Sequence, residues 1–396
     1  MSVSALKGIR VLDLSSFLAG PSCGQLLSDF GAEVIKIESN SGDEMRQWSP
    51  VVDGESITFM AANRGKKALT LNLKTEKGKK ILYDLVRQSD VLIHSFLPNV
   101  ANRLGVVWEI INKLNSRIIM CSISGYGSQG AMANKPGFDL MVQAFSGLMS
   151  VTGDPDGPPK RVGASTLDIT TGVFAYSAIV TALLARAEGH CESQHVEVSL
   201  LATSVHLLNY HVTSYLNAGK QPKREGSGVG HLVPYQSFMA SDGFVLAGAT
   251  NDEVWKRFCR VLGVADLASD PRFVTGADRV KNRVPLIEIL DAQFPRHSVA
   301  HWISCFEKEG IPCSPVQTVE QLVAHPQIAE MNLLLREKSH VGKDVQLLGI
   351  PIRMNGTPGA PGCRPPRLGE NSNEVLREIL GYDDIVLEQL RKEAVI

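Results

Sequence analysis

The sequence predicts an α/β protein in which a parallel sheet is covered by helices on both faces, followed by a smaller α+β domain. Three observations predict it. Short β-branched and leucine-rich runs alternate with stretches of helical period, residues 217–233 break the composition sharply, and residues 235–249 alternate like two strands around a turn. Strands separated by helices pair through parallel crossovers, and such sheets are buried on both faces.

Residues 8–15 (GIRVLDLS) read as a first strand ending in small polar residues. AGPSCGQLLSDFGAEVIKIE then supplies a glycine and proline turn, a helix and a second strand over 33–38, a βαβ unit. Similar units recur, with a helix over 77–88 leading into a strand over 90–95, and a helix over 108–115 leading into RIIMCSIS at 117–124. From Asp168 the run DITTGVFAYSAIVTALLAR is apolar nearly all round. That predicts a helix buried in the interior, ending near Gly189 with Arg186 in its last turn. A strand over 194–199 follows.

Residues 217–233 (NAGKQPKREGSGVGHLV) carry glycine, lysine and proline with little periodicity and predict a boundary. Beyond it come two strands around Ser241-Asp242-Gly243 and helices over 252–262 and 284–294. A polar, proline-rich stretch over 356–369 crosses to a last helical segment over 374–380, and such a crossing can return the C-terminus to the first domain. The expected organisation is residues 1–216 in the first domain, 217–330 in a linker and small domain, and 331–396 back in the first. No internal repeat is found.

Composition narrows the function. Hydrophobic residues at 44% and charged residues at 20% describe a globular protein. Lys plus Arg (40) nearly balances Asp plus Glu (41), so no overall basic field attracts nucleic acid or an anionic membrane. The N-terminal apolar stretch is short and carries Lys7, Arg10 and Asp13, unlike a signal peptide or membrane span, so a cytoplasmic location is expected. Seven cysteines (23, 121, 191, 259, 305, 313 and 363) include no CxxC pair and are expected to be reduced, mostly buried thiols. The ten histidines show no HExxH or comparable spacing, and no metal site is expected.

Parallel sheets bind ligands at the carboxyl ends of their strands, which here nominates the turn after Leu14, the loop after Ile93 and the loop after Ser124. The last holds Gly125, Tyr126 and Gly127, a pair of glycines that ordinary turn chemistry also explains. No G-x-S-x-G elbow, P-loop or kinase signature occurs. After the first strand, Ala19-Gly20-Pro21 and Gly24 stand where a dinucleotide fingerprint would be, which disfavours nicotinamide binding.

Several blocks together resemble one family. LKGIRVLDLSSFLAGP, LLSDFGAEVIKIE and GDEMRQW open the series; NRGKKALTLNLK, SFLPNVANRLGV, IIMCSISGYGSQG, VTGDPDGPP, DITTG, PYQSF, GIPCSPV and RPPRLGE follow in order over almost the whole length. In this they resemble the class III (CaiB/BaiF, formyl-CoA:oxalate-type) CoA-transferases. The resemblance implies a Rossmann-like large domain formed from both chain ends, a small domain, and a homodimer of two interlocked subunits. It also implies transfer of CoA from an acyl-CoA donor to a small free carboxylic acid. Coenzyme A is then a substrate, and no cofactor is permanently bound.

The resemblance assigns the catalytic carboxylate to Asp168 in TLDITTG. Without it, Asp168 reads as a helix N-cap before Thr170-Thr171-Gly172. The two roles are compatible, because free N–H groups at a helix start can hydrogen-bond a carboxylate or a developing oxyanion. The positions matching the family's CoA contacts are Phe17, Leu71, Ser95, Phe96 and Arg103, with Arg103 suited to fork onto phosphate. Where the family often has Asn-Phe-Arg-Pro-Gly, this chain has Ser95-Phe96-Leu97-Pro98-Asn99, one cation fewer. The loop from Gly226 to His231 lies where a glycine-rich loop shields the nucleophile in formyl-CoA:oxalate members, and its glycines permit close approach and motion.

The main rival is an α-methylacyl-CoA racemase, which resembles these enzymes in fold but needs a histidine in a Gly-His-Asp block. This chain has Gly137-Phe138-Asp139, and phenylalanine exchanges no proton. Asp139 then reads as a structural or contact residue. A non-catalytic acyl-CoA-binding protein is the other alternative, and it would have no need of Asp168. VPYQSF and SGLMSVTG resemble members that use succinyl-CoA or other dicarboxylate pairs.

Overall fold

The computed structural model describes residues 4–362 and 364–396, so Cys363 lies outside the described residues. Six parallel strands form the main sheet: β1 (Arg10–Leu14), β2 (Glu33–Glu38), β3 (Lys67–Thr70), β4 (Val91–His94), β5 (Ile119–Ser124) and β6 (Gln194–Ser199). Their spatial order, β3-β2-β1-β4-β5-β6, is the Rossmann order, with direction reversing between β1 and β4. Strand β3 was expected only as part of a motif. Four residues beginning with Lys67 carry too little alternation to announce a strand, and pairing with β2 decides it.

Helices α1 (Ala19–Asp29), α2 (Glu76–Val86), α3 (Pro98–Leu104), α4 (Trp108–Leu114), α5 (Asp139–Phe145), α6 (Thr166–Ala187), α7 (Leu200–Leu207) and α8 (Asn209–Ala218) belong to the same unit. Two apolar clusters fill the layers on the two sides of the sheet. Leu12, Ile35, Leu69, Leu92 and Met120 meet α2, while Val11, Val34, Ile93 and Cys121 meet α1 and α6. This period-2 division is the sheet's own alternation.

Two expectations for α6 need correction. The helix begins at Thr166, so Asp168 is its third residue and not its N-cap. Nor is the helix buried all round. Thr171, Gly172, Ala175, Ile179 and Ala182 are buried, whereas Ile169, Val173 and Leu184 are exposed. Its buried stripe follows α1, and a side chain at Gly172 would put Cβ 2.7 Å from the Ala19 carbonyl oxygen, so glycine permits that crossing. By length and mean hydropathy (22 residues, 1.6) the helix could cross a membrane, but its packing on α1 and β6 is that of a core helix.

The chain divides into two compact units, Met1–Leu148, Val162–Gly219 and Ala329–Ile396 in one, Met149–Arg161 and Lys220–Ile328 in the other. The segment Met149–Arg161 joins the second unit, although the expected first domain ran through it unbroken. Within the second unit, β7 (Tyr235–Met239), β8 (Phe244–Gly248) and β9 (Cys313–Pro315) form an antiparallel sheet over α9 (Asp252–Val261), α10 (Arg283–Asp291) and α11 (Val299–Lys308). Its core stacks Trp255, Phe258, Phe294 and Phe306. In the first unit the C-terminal segment adds the hairpin β10 (Leu334–Lys338) and β11 (Asp344–Leu348), then α12 (Ser372–Leu380) and α13 (Asp384–Lys392). Asn371 exchanges backbone and side-chain bonds with Ala68 on β3, and the Asn72 N–H donates to the Val395 carbonyl.

A buried ion cluster holds the carboxyl end of β1. Asp13 and Lys66 pair at 2.8 Å, both side chains fully buried, and Lys66 also donates to the Pro21 carbonyl and to Asn63. Asp13 accepts from the N–H and hydroxyl of Ser15, while buried Lys36 donates to the Ser15 carbonyl at 3.0 Å and to Asp43 at 3.1 Å. Burial pushes the Asp13 carboxyl up, but Lys66, Lys36 and these hydrogen bonds outweigh it and leave it below the usual carboxylate range. Removing one partner strands the other charge, at a cost of about 3–5 kcal/mol. Lys66→Met should therefore lower the unfolding free energy by about that amount, read by urea unfolding; a loss under about 1 kcal/mol would show the cluster to be dispensable.

Candidate active site

The reversal of strand order opens a crevice between the loops after β1 and β4, the usual ligand position of such sheets. Ser95 joins the two loops, its Oγ accepting the Ser16 N–H at 3.0 Å. Beside them lies a cleft of about 200 Å³ lined by Leu14, Ser16, Leu71, Lys74, Phe96 and Leu104. Leu71 is buried in its floor and Phe96 stacks on His94 with 5.5 Å between ring centroids. Arg103, in the last turn of α3 next to Leu104, is exposed and pairs with no group among the described residues.

Phe17 stands on a different wall. Its φ of +64° is a left-handed conformation that bulky residues rarely adopt, and the surrounding contacts hold it there. Its ring meets Trp48 at 5.8 Å and the edge of Phe138 at 5.1 Å. Trp48 and Phe138 are large and about half exposed, 43% and 48%.

Phe138 precedes Asp139, and Asp139 leads to the start of α6. The Asp139 carboxylate, nearly buried, accepts the Leu167 N–H at 2.8 Å and the Asp168 N–H at 3.1 Å through Oδ2. The Thr166 and Ile169 N–H groups bond to the Ala164 and Ser165 carbonyls. The expected free N–H groups at the helix start are therefore occupied, and they do not serve the Asp168 carboxylate. Asp139 is the group that caps this helix, an anion at the positive end of the helix dipole. Its other oxygen accepts from Gln143 Nε2 at 2.5 Å.

The Asp168 side chain is partly buried and has no hydrogen-bond or ion-pair partner among the described residues. Burial, and then the like charge of Asp139, push its carboxyl up to about 7. The neighbouring Gly125 also depends on close approach, since a Cβ there would lie 2.6 Å from the Gly137 Cα, immediately before Phe138.

The match to CoA-transferase family III spans residues 6–372. The chain belongs to that family. It is 37% identical over 399 residues to the mouse succinyl-CoA:glutarate CoA-transferase, covering 100% of this chain and 91% of that one. The acetyl-CoA:oxalate CoA-transferase of Acetobacter aceti is also 37% identical, with 89% and 92% covered. The succinyl-CoA:mesaconate CoA-transferase of Haloarcula marismortui is 33% identical, with 95% and 96% covered. Among solved structures, a CaiB/BaiF family protein from Brucella suis superposes with a TM-score of 0.86 at 34% identity, covering 96% of this chain and 100% of that one. The protein is a class III CoA-transferase, acting on CoA thioesters as substrates.

In this family III chain Leu71 and Phe96 line the cleft and Ser95 joins the loops beside it, Arg103 is exposed in the last turn of α3, and the Phe17 ring lies against Trp48 and Phe138. The glycine-rich loop belongs to the second unit, where Ser227 Oγ accepts from the N–H and hydroxyl of Ser237. Sequence reasoning missed Lys74, a cleft-lining cation three residues beyond Leu71 in the LTLNLK block, and Gln143, whose polar side chain in an apolar helix (DLMVQAF) was the available signal. Among the described residues no cluster of side chains could hold a metal ion.

The raised pKa has a stability consequence. A carboxyl held above its unfolded value of 3.8 binds its proton more tightly when folded, so stability falls as pH rises from about 4 through 7. Asp168→Asn removes the charge, and it should raise the melting temperature at pH 8 while changing it little at pH 4. An equal effect at both values would show that the carboxyl titrates normally.

Proposed function

We propose that the protein moves CoA from a donor such as succinyl-CoA to a dicarboxylic acid, with Asp168 as the covalent nucleophile. The observation that carries this reading is an unpaired, partly buried carboxyl, pushed up to about 7, at the amino end of a helix packed on the Rossmann sheet. A carboxylate of raised basicity is the stronger nucleophile once ionised. The relatives named above act on glutarate, oxalate and mesaconate, and these support a dicarboxylate acceptor.

An Asp168 oxygen attacks the thioester carbonyl carbon; the C–S bond breaks, giving an acyl-aspartyl anhydride and CoA thiolate. The thiolate attacks the aspartyl carbonyl carbon, releases the donor's carboxylate and leaves an aspartyl-CoA thioester. The acceptor carboxylate attacks that thioester, expelling thiolate and forming a second anhydride, and the thiolate then attacks the acceptor's acyl carbon. The new acyl-CoA departs and Asp168 is a carboxylate again. Every step exchanges one activated acyl bond for another, so water must be kept out. Phe17, Trp48 and Phe138 supply an apolar wall for that purpose. In this reading Arg103 and the cleft-lining Lys74 grip CoA phosphates, with apolar Leu71 and Phe96 in the same cleft as Lys74.

A cytoplasmic homodimer is part of this proposal. Ile169 and Val173 on α6, Val205 and Leu207 on α7, and Tyr210, Tyr215 and Leu216 on α8 are exposed large side chains of the first unit, the kind of surface a partner subunit covers. Sedimentation at twice the 43.0 kDa chain mass is expected, and a monomer at micromolar concentration would sink it.

Transfer and racemisation are separated by one assay. With acyl-CoA and labelled dicarboxylate, label should enter the thioester, hydroxylamine should trap an adduct at Asp168, and no deuterium should enter the α-carbon from heavy water. Asp168→Ala should lose at least several powers of ten in turnover. Arg103→Ala should weaken acyl-CoA binding by about 1.5–3 kcal/mol, more at low salt than at high. Deuterium uptake without an acceptor and without an adduct would overturn the transfer chemistry at Asp168.

A further inference from the structure

The geometry points to Gln143 as a positioning residue for the Asp168 nucleophile, acting through the Asp139 carboxylate. This rests on Asp168 being the nucleophile, as proposed above.

Gln143 lies on α5, four residues after Asp139, and its side chain is fully buried. Each half of its amide has one task. Oε1 accepts the Val162 N–H at 2.9 Å, and Nε2 donates to Asp139 Oδ1 at 2.5 Å. The other Asp139 oxygen accepts the N–H groups of Leu167 and Asp168. Gln143 therefore ties together α5, the point where the chain re-enters the first unit at Val162, and the first turn of α6. The amide's orientation follows from these partners, since the atom facing Oε1 is the Val162 N–H, a donor, and the atom facing Nε2 is a carboxylate oxygen, an acceptor.

A carboxylate alone at a helix start can rotate, and its charge would move with it. The Gln143 N–H fixes the plane of the Asp139 carboxylate, so that Oδ2 faces two N–H groups and a stationary negative charge sits behind Asp168. Among titratable groups on elements packed against α6, there are Cys23 and Asp29 on α1, Cys121 on β5, Asp139 on α5, His195 and Glu197 on β6, and His206 on α7. Asp139 alone bears on the Asp168 carboxyl. A glutamine that holds Asp139 thus sets both where the nucleophile's backbone lies and how basic its carboxyl is. Leucine or methionine at 143 would fill the volume and do neither.

The experiment compares the whole protein with Gln143→Met and Gln143→Glu, using succinyl-CoA and glutarate as probes, and records kcat and KM over pH 5–9 and adduct trapping at Asp168. In Gln143→Met, kcat should fall roughly ten- to a hundredfold, the scale of a misplaced reacting group. KM for acyl-CoA should stay within about twofold, and the acid limb of the pH profile should move to lower pH because the Asp139 charge is no longer held behind Asp168. In Gln143→Glu a protonated carboxyl at position 143 can still donate to Asp139, so activity should be recovered at acid pH and lost as the introduced carboxyl ionises. An acid limb that stays in place in both variants, or a kcat loss matched by a KM rise and explained by a lower melting temperature, would overturn the positioning role. Absence of an Asp168 adduct in the wild type would instead remove the nucleophile assignment beneath it. Should Gln143→Met fail to fold, the pH profile of Gln143→Glu carries the test.

Discussion

A fully buried carboxylate, Asp13, holds the end of the strand from which the crevice opens. Taking an ion out of water costs several kcal/mol even after relaxation, and it is tolerated only when every lone pair and charge is met. Lys66 meets the charge, Ser15 meets the second oxygen, and Lys36 reaches the Ser15 carbonyl from the neighbouring strand. The loop after β1 is thereby anchored before it leaves the sheet. Such over-determination lets Phe17 persist at a positive φ and hold its ring against Phe138.

The start of α6 shows one group in two roles. Asp139 stabilises the helix by accepting N–H groups at its positive end, and the same negative charge opposes ionisation of Asp168. Had Asp168 itself taken those N–H groups, its carboxyl would be held down instead of raised. An external cap keeps the helix start satisfied while leaving the Asp168 carboxyl unpaired. The stability given up at Asp168 is recovered partly in the cap.

Helix α6 also illustrates how burial differs from hydrophobicity. Its buried stripe of small residues meets α1 closely at Gly172, while Ile169, Val173 and Leu184 face away from the fold of this chain. Apolar residues on both sides of a helix state that two surfaces need covering. They do not state which molecule covers the second one.

Much of the fold was legible because it rests on local, periodic signals. The strand at Glu33–Glu38, the end of α6 near Gly189 with Arg186 in its last turn, and the hairpin around Ser241-Asp242-Gly243 all follow from residue spacing and turn chemistry. The ordered blocks from LKGIRVLDLSSFLAGP to RPPRLGE carry the family, and with it CoA chemistry, in the sequence alone. What only tertiary structure decided are the contacts between segments far apart in the chain. Asp139 meets the N–H groups of Leu167 and Asp168 some 28 and 29 residues away, Asn371 caps β3 from 303 residues away, and Lys66 reaches Asp13 across 53. Periodicity reports which face of an element is apolar. It carries no information about which distant carboxylate will occupy a helix start, because that depends on where two elements meet in space, and the pKa of Asp168 depends on that meeting.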